Sequence, residues 1–399
     1  MSLNRNYKAP LFLLSLFFLC IFFLFSCIEV KKEHRSTNEL IITKVTFSEL
    51  PEWDVAKIFP ARKALEESCK IISKKHFSSV IKLSNILINL ETYKIFCGKI
   101  KSATNNNELK KLIEANFYPV IIDNPEKETL YTGYIELELK GRLEPSLTEA
   151  PNAIPVYKKP NNLFTIDLGL FKEELKNKKI IGIIEDDKFL PAATRKEIET
   201  QNLFKDNIIA YIDDPARAYF LHIQGSGRIQ LPSGKTISVG YDGDNGKEYF
   251  SIGRSLIKEG IILKENISMQ TIIKWMQENI EKAELLRFKN KRFIFFKERN
   301  KSEGPIGASG AIVTPMHSAA VDNRFLPYHL PLWVEVNHFF PDRPSQKYSN
   351  LVLAQDTGSA IKGPTRIDLF IGNGTVAEEI AGKLNSAGHV WALIPIINN

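Results

Sequence analysis

The order of elements predicts a mainly β, α+β protein in which one domain is inserted into another. Residues 51 to about 116 carry apolar side chains at helical spacing, with Trp53, Ile58, Leu65, Cys69 and Ile72 recurring. From Tyr118 onward the chain changes to short alternating runs broken by prolines and glycines. Such runs lie on both sides of a helix-rich spacer that begins near Ser268, and 399 residues suffice for two cores.

The chain opens with Arg5 and Lys8 ahead of LFLLSLFFLCIFFLFSC, a basic region followed by a long apolar run. Leu24-Phe25-Ser26-Cys27 resembles a bacterial lipobox, so residues 1–26 are expected to be a signal peptide and Cys27 the lipid-bearing residue. Ile28 in place of Asp after that cysteine points to the outer membrane, with the body on the periplasmic face. An uncleaved anchor is the competing reading, because the run is near the lower length for a spanning helix. Residues 27–50 read as a tether. Of four cysteines, Cys69 and Cys97 remain for the body. Outside the cytoplasm they form either a disulfide stapling two helices or a pair of buried thiols.

The alternation in Tyr131 to Leu139 predicts a strand, with further strands at Lys179 to Ile184, Ile208 to Ile212 and Ala218 to Ile223. Arg228 to Leu231 and Thr236 to Val239 read as a hairpin around Pro232-Ser-Gly-Lys. Ser268 caps a helix whose apolar face is Met269, Ile272, Ile273, Met276 and Ile280. Arg292 to Lys297 is another strand, Gly304 to Gly310 a glycine-rich loop, and more strand follows through Ile312 and Trp333 to Val336. A last helix from Thr375 stops at Gly388, and His389 to Ile396 forms the closing strand.

Several chemistries are excluded. The net charge of +7 is spread through the chain without a basic stripe, so no nucleic acid is expected. Gly225-Ser-Gly227-Arg lacks the third glycine of a dinucleotide loop. Asp242 to Gly246 resembles a calcium loop, but its glycine is one position early and Gly253 stands where the bidentate Glu belongs. Neither remaining cysteine has a histidine at ligand spacing, so neither a metal nor a cofactor is expected.

The stretch Leu351 to Gly372 carries the chemistry. Its first strand meets Asp356, a Gly/Ser/Gly turn follows, and the second strand sets Asp368 among Ile367, Leu369 and Phe370. A carboxyl group in such surroundings keeps its proton toward neutral pH if it faces a dry cleft, as an acid that protonates a leaving oxygen must. The alternative is an outward Asp368 with Lys362, Arg366 and Asp356 as an ordinary surface ion-pair set.

An ordered series of segments resembles the membrane-bound lytic murein transglycosylases of type A. Tyr131-Thr-Gly-Tyr134 with Glu138-Leu-Lys-Gly141, His222 to Arg228, Gly240 to Gly246, Ser251-Ile-Gly253 and Ser268-Met-Gln270 come in family order. Phe295-Phe296, Gly304 to Gly307, Ala320-Val-Asp322 with Pro327, Ala354 to Gly363 and Asp368-Leu-Phe follow. The resemblance implies a double-psi β-barrel built from residues 51–133 and 250–399, with a second small β-barrel, residues 134–249, inserted. A groove between them would hold a peptidoglycan glycan strand. It further implies a lytic exotransglycosylase, a carbon–oxygen lyase that leaves 1,6-anhydromuramoyl ends, with membrane contact through the lipid and other cell-wall enzymes as further partners.

In that family the aspartate matching Asp368 is the catalytic acid and base, and that matching Asp356 lies beside it. Thr132, Gly133, Tyr134, Gln224, Ser226, Gly227, Tyr241, Lys362 and Gly363 are expected to bind substrate, the glycines by admitting sugar rings close to the backbone and the tyrosines by stacking. With the sugar's own 6-hydroxyl as nucleophile, one carboxyl group can serve twice, whereas ordinary glycoside hydrolysis needs two. Asp356 would orient Asp368 and, if ionised, raise its pKa.

The chain departs from the pattern at Ile135, Leu137, Met316-His317 and Ile371, read as altered subsites or drift. A two-carboxylate hydrolase and a wall-binding lipoprotein without activity are the competing functions.

Overall fold

The computed structural model describes residues 40–396 apart from 76–79, 177, 301–303 and 341–345, so the expected leader and Cys27 lie outside the described residues. The chain opens with β1 (Ile41–Lys44), the hairpin β2 (Val80–Leu83) and β3 (Ile86–Asn89), then β4 (Phe117–Asp123) and the long β5 (Thr129–Arg142). Between them lie α1 (Arg62–Ile72), α2 (Leu90–Lys99) and α3 (Asn106–Asn116). The middle supplies β6 (Ile154–Tyr157), β7 (Leu163–Asp167), β8 (Lys179–Glu185), β9 (Lys188–Pro191) and β10 (Ile208–Ile212). Next come β11 (Ser226–Gln230), β12 (Thr236–Asp244) and β13 (Ile294–Arg299). Its helices are α4 (Arg195–Gln201), α5 (Pro215–Gln224), α6 (Ile252–Lys258), α7 (Met269–Glu278) and α8 (Ile280–Lys289). Strands β14 (Ser318–Ala320), β15 (Pro331–Val336), β16 (Tyr348–Asp356) and β17 (Arg366–Asn373), helix α9 (Gly374–Lys383) and strand β18 (Asn385–Pro395) complete the fold.

Strand pairing closes two rings that share β5. Its first half pairs with β17 in parallel, from Leu130 to Glu136, and with β18 antiparallel; the order β18–β15–β16–β14–β17 then returns to β5. Its second half pairs with β11 in parallel, from Leu137 to Lys140, and with β10 antiparallel. Strands β12 and β13 continue from β11, β6 continues from β10, and a bridge between Lys158 and Phe296 joins the ends. The class is mixed α+β, as expected. The boundaries move, however: β5 passes between the rings at residues 136 and 137, not 133 and 134. Strand β13 belongs with the inserted ring although it lies well beyond residue 250.

A helical layer covers one face of the first ring. Helix α1 buries Leu65, Cys69 and Ile72 at spacings of four and three, with Ala64 beside them, and Trp53 meets Trp333 of β15 edge-on, with centroids 5.1 Å apart. Leu351, Leu353, Trp391 and Leu393 complete this core. Cys69 on α1 and Cys97 on α2 are joined as a disulfide with Cα atoms 5.3 Å apart.

Local differences from the sequence reading have identifiable causes. The tether is shorter than 27–50, because β1 pairs with β4, Ile41 opposite Asp123. The β2–β3 hairpin interrupts the expected helical region, since Ile81, Leu83, Ile86 and Ile88 alternate inward around Ser84-Asn85. Residues 218–223 are helical, not extended: Asp214 caps the amides of Ala216 and Arg217, Pro215 occupies the first turn, and Gly225 ends α5 at φ 79°. Helix α7 ends at Glu278, which leaves Ile280 58% exposed instead of on its apolar face. The last helix ends at Lys383, so Gly388 lies inside β18, where a Cβ would sit 1.9 Å from the Glu335 carbonyl oxygen. Only glycine admits that strand approach.

Candidate active site

Asp356 and Asp368 are brought together by one short strand. Ala320 of β14 is the register partner of Asp356 on β16 and of Asp368 on β17, so the two aspartates flank it. In the same register Thr132 of β5 lies opposite Asp368 on the other side. Alternation along β5 and β17 points Thr132 and Tyr134, and Asp368 and Phe370, to one face. Beneath the aspartates Tyr134, Val313, Ala320, Ile361 and Phe370 form a small dry cluster.

Each carboxyl group has its own partners. Asp356 Oδ1 accepts from the amides of Ala308 at 2.9 Å and Thr357 at 2.8 Å. The Tyr134 hydroxyl donates to Oδ2 at 3.0 Å. Asp368 Oδ1 accepts from the Thr132 hydroxyl, which itself accepts from Arg366 Nη2 at 2.7 Å. Burial pushes the Asp368 carboxyl above the ordinary aspartate range, against the opposing pull of the Arg366 charge and the Thr132 hydroxyl. Burial also raises Asp356; its hydrogen bonds from Ala308, Thr357 and Tyr134 oppose the rise, and the charge of Asp368 adds to it. Two such groups, both raised, resist joint ionisation. Burial and both aspartates hold the Tyr134 phenol protonated, as a donor.

The aspartates open on two adjoining cavities between the rings. Asp356 borders the larger, about 580 Å³, with Ser226 and Tyr241; Asp368 borders the smaller, about 230 Å³, with Thr132 and Gly133. Tyr134, His222 and Gln224 border both. A cavity of about 1030 Å³ between α5, α9 and the second half of β5 touches neither aspartate. A carboxyl group raised toward holding its proton and a second carboxyl group, bordering two adjoining cavities, together suit acid–base chemistry on a bound ligand.

A membrane-bound lytic murein transglycosylase A homolog of Buchnera aphidicola is 30% identical over 354 residues, covering 84% of this chain and 87% of that protein. The chain belongs to this transglycosylase A family. Residues 130–297 match the MltA specific insert domain and residues 317–394 the 3D domain. A crystal structure of the membrane-bound lytic murein transglycosylase from Agrobacterium tumefaciens superposes with a TM-score of 0.77 at 25% identity, covering 89% of this chain and 97% of that one. Escherichia coli MltA with bound chitohexaose shares the fold, with a TM-score of 0.63 at 23% identity over 86% of this chain and 92% of that one.

Within this family member, not every residue expected at the groove borders it. Thr132, Gly133, Tyr134, Gln224, Ser226 and Tyr241 do. Gly227, Lys362 and Gly363 border neither cavity. A Cβ at Gly227 would lie 2.8 Å from Leu221 Cδ1 and 3.1 Å from the Leu137 oxygen, so this glycine serves packing between β11, β5 and α5. Lys362 is exposed, and the Gly363 amide donates to Asp322 Oδ2 at 2.9 Å, bracing the loop after Asp356. Tyr134 is not a stacking platform: it is 8% exposed and its ring lies on Phe370, centroids 5.2 Å apart. Tyr241 is 49% exposed on the groove wall, its hydroxyl donating to Asp244 Oδ2 at 2.7 Å. The departures at Ile135, Leu137 and Ile371 are buried core positions outside both cavities, so they repack strands and leave the groove lining alone.

Three contributors were not anticipated. Ala308 reaches Asp356 through a backbone amide, which no side-chain motif announces. Arg366 is no surface ion; it is tied to Thr132 beside Asp368, a relation that its position two residues before Asp368 on one strand could have signalled. His222, on what read as a strand, is a buried helical residue of the groove wall.

Proposed function

We propose that this chain is a peptidoglycan lytic transglycosylase that cleaves the β-1,4 bond between N-acetylmuramic acid and N-acetylglucosamine and leaves a 1,6-anhydromuramoyl end. The observation that carries the reading is the pair of half-buried carboxyl groups, both raised above the ordinary aspartate range, that border two adjoining cavities. Protonated Asp368 gives its proton to the glycosidic oxygen as the bond to the anomeric carbon breaks. The muramoyl 6-oxygen then bonds to that carbon, and its proton passes to Asp368, which is restored; no water enters. Asp356, held by three donors, supplies negative charge for the oxocarbenium-like state. The Thr132 hydroxyl steadies Asp368 when it is ionised.

Membership of the transglycosylase A family supports this reading, as does the oligosaccharide in a solved protein of the same fold. Cell-wall turnover on the periplasmic face of the outer membrane, with Cys27 as lipid anchor, is the corresponding setting; its support is the Leu24 to Cys27 sequence. Among the described residues no helix is long and apolar enough to cross a membrane.

The test is digestion of purified peptidoglycan by the soluble body, with Asp368→Asn in parallel and mass spectrometry of the products. Anhydro-ended muropeptides from wild type alone are expected. Products of equal yield from Asp368→Asn would remove the acid–base assignment.

A further inference from the structure

Gln355 is a polar side chain, 0% exposed, on the strand that carries Asp356, and the proposed reaction does not use it. It is also an extra residue in that strand. Ala319 of β14 pairs with Ala354 and Ala320 pairs with Asp356, which leaves Gln355 as a bulge in β16 with no register partner on β14. A bulge beside a reacting group re-aims the side chain next to it. Here that side chain is Asp356.

The bulge is held from three directions. Gln355 Nε2 donates to the Ala64 carbonyl at 2.8 Å and to Ser68 Oγ at 2.9 Å, both on α1. Gln355 Oε1 accepts from the Ser318 hydroxyl of β14, which in turn accepts from the Thr314 amide at 2.7 Å. Both hydrogens and the oxygen of the carboxamide are therefore engaged, as a buried amide requires. The backbone supplies the third hold. The Gln355 carbonyl oxygen accepts from the Ser309 amide at 3.2 Å, and a Cβ at Gly307 would lie 2.3 Å from the same oxygen. The turn 307–310 thus rests on Gln355, and this seats the Ala308 amide 2.9 Å from Asp356 Oδ1. The helical layer grips the preceding residue as well. Tyr93 of α2 donates to the His329 carbonyl at 2.6 Å, and the His329 amide donates to the Ala354 carbonyl at 2.7 Å. Ser68 is followed by Cys69, whose bridge to Cys97 joins α1 to α2.

We propose that Gln355 is a positioning residue for the reaction: its carboxamide locks the bulge to α1 and β14 and so sets Asp356 and the Ala308 amide against each other. The inference rests on the reading of Asp356 as the charged group that supports bond cleavage. Without the carboxamide the bulge relaxes and the turn 307–310 loses its seat. The Ala308 amide is one of the donors that oppose the burial-driven rise of Asp356, so its withdrawal lets that carboxyl group hold its proton to higher pH. A purely structural role for Gln355 would lower the melting temperature and leave the pH–rate profile in place.

Initial rates on soluble glycan strands across a pH series test this, with wild type, Gln355→Met and Gly307→Ala measured below their melting transitions. Methionine keeps the length of glutamine without its hydrogen bonds, and alanine at 307 pushes the turn off the Gln355 carbonyl without touching the carboxamide. Each variant is expected to lose about tenfold in kcat, the effect of one hydrogen bond, with the limb that reports ionisation of Asp356 moved to higher pH. For Gln355→Met, KM is expected to stay within about twofold. A kcat within twofold of wild type together with an unmoved limb, in either variant, overturns the inference. If Gln355→Met does not melt cooperatively, Gly307→Ala decides alone on the same two readouts. Wild-type protein that makes anhydro ends while the limbs stay unmoved removes only the role of Gln355. Wild-type protein that makes none removes the proposed reaction.

Discussion

Thr132→Val isolates the contact that governs the proposed acid. Valine keeps the volume of threonine but lacks the hydroxyl that joins Arg366, 2.7 Å away, to Asp368. A hydrogen bond to a charged acceptor contributes about 1.5–3 kcal/mol, and here it is strongest when Asp368 has given up its proton. Its loss falls on the transition state, so kcat is expected to drop about 10- to 150-fold while KM changes less than about twofold. The sign in pH follows from the same contact. The Thr132 hydroxyl opposes the burial-driven rise of the Asp368 pKa, so its removal lets that pKa rise further. The limb of the pH–rate profile that reports loss of the acid's proton therefore moves to higher pH. Initial rates on soluble glycan strands across a pH series give both readouts. A kcat within twofold of wild type and an unmoved limb would refute the role given to Thr132.

Two further outcomes concern stability. Because burial raises the folded-state pKa of Asp368, its stabilising contribution is fully present below the unfolded aspartate value, about 3.9, and is lost as pH rises through the folded value. Asp368→Asn is therefore expected to melt above wild type at neutral pH, the gap closing toward about pH 4; equal melting curves at both would contradict the burial argument. The Cys69–Cys97 bridge spans 28 residues, for which chain entropy gives about 3.6 kcal/mol. With an unfolding entropy of roughly 0.75 kcal/mol/K for a body of this size, the Cys69→Ser/Cys97→Ser variant should melt about 5 °C lower, measurable by calorimetry. An unchanged melting temperature would show that the bridge is not formed.

Much of the site was legible because its groups sit in short continuous segments. Leu351 to Gly372 contains both aspartates, and Tyr131 to Tyr134 contains the two hydroxyls that reach them. What could not be read was pairing across long distances. Ala320 sets the spacing of Asp356 and Asp368 by strand register, and Ala308 reaches Asp356 through its amide; neither has side-chain chemistry to betray it. The sharing of β5 by two rings was hidden for a related reason, since its alternation continues unbroken through Glu136 and Leu137 while its neighbours change. The error at α5 had a different origin. Its apolar content resembles a strand, and the Asp214-Pro215 start and Gly225 stop, which decide for helix, were available in the sequence. Lys362 looked like a site residue through its neighbours in a motif, yet its side chain faces solvent.

The most direct measurement is digestion of peptidoglycan in water enriched with oxygen-18, followed by mass spectrometry of the new muramoyl ends. Attack by the sugar's own 6-hydroxyl predicts anhydro ends without label, one water lighter than reducing ends. Reducing ends carrying oxygen-18 would mean that water is the nucleophile, and would make Asp356 and Asp368 the acid–base pair of a hydrolase.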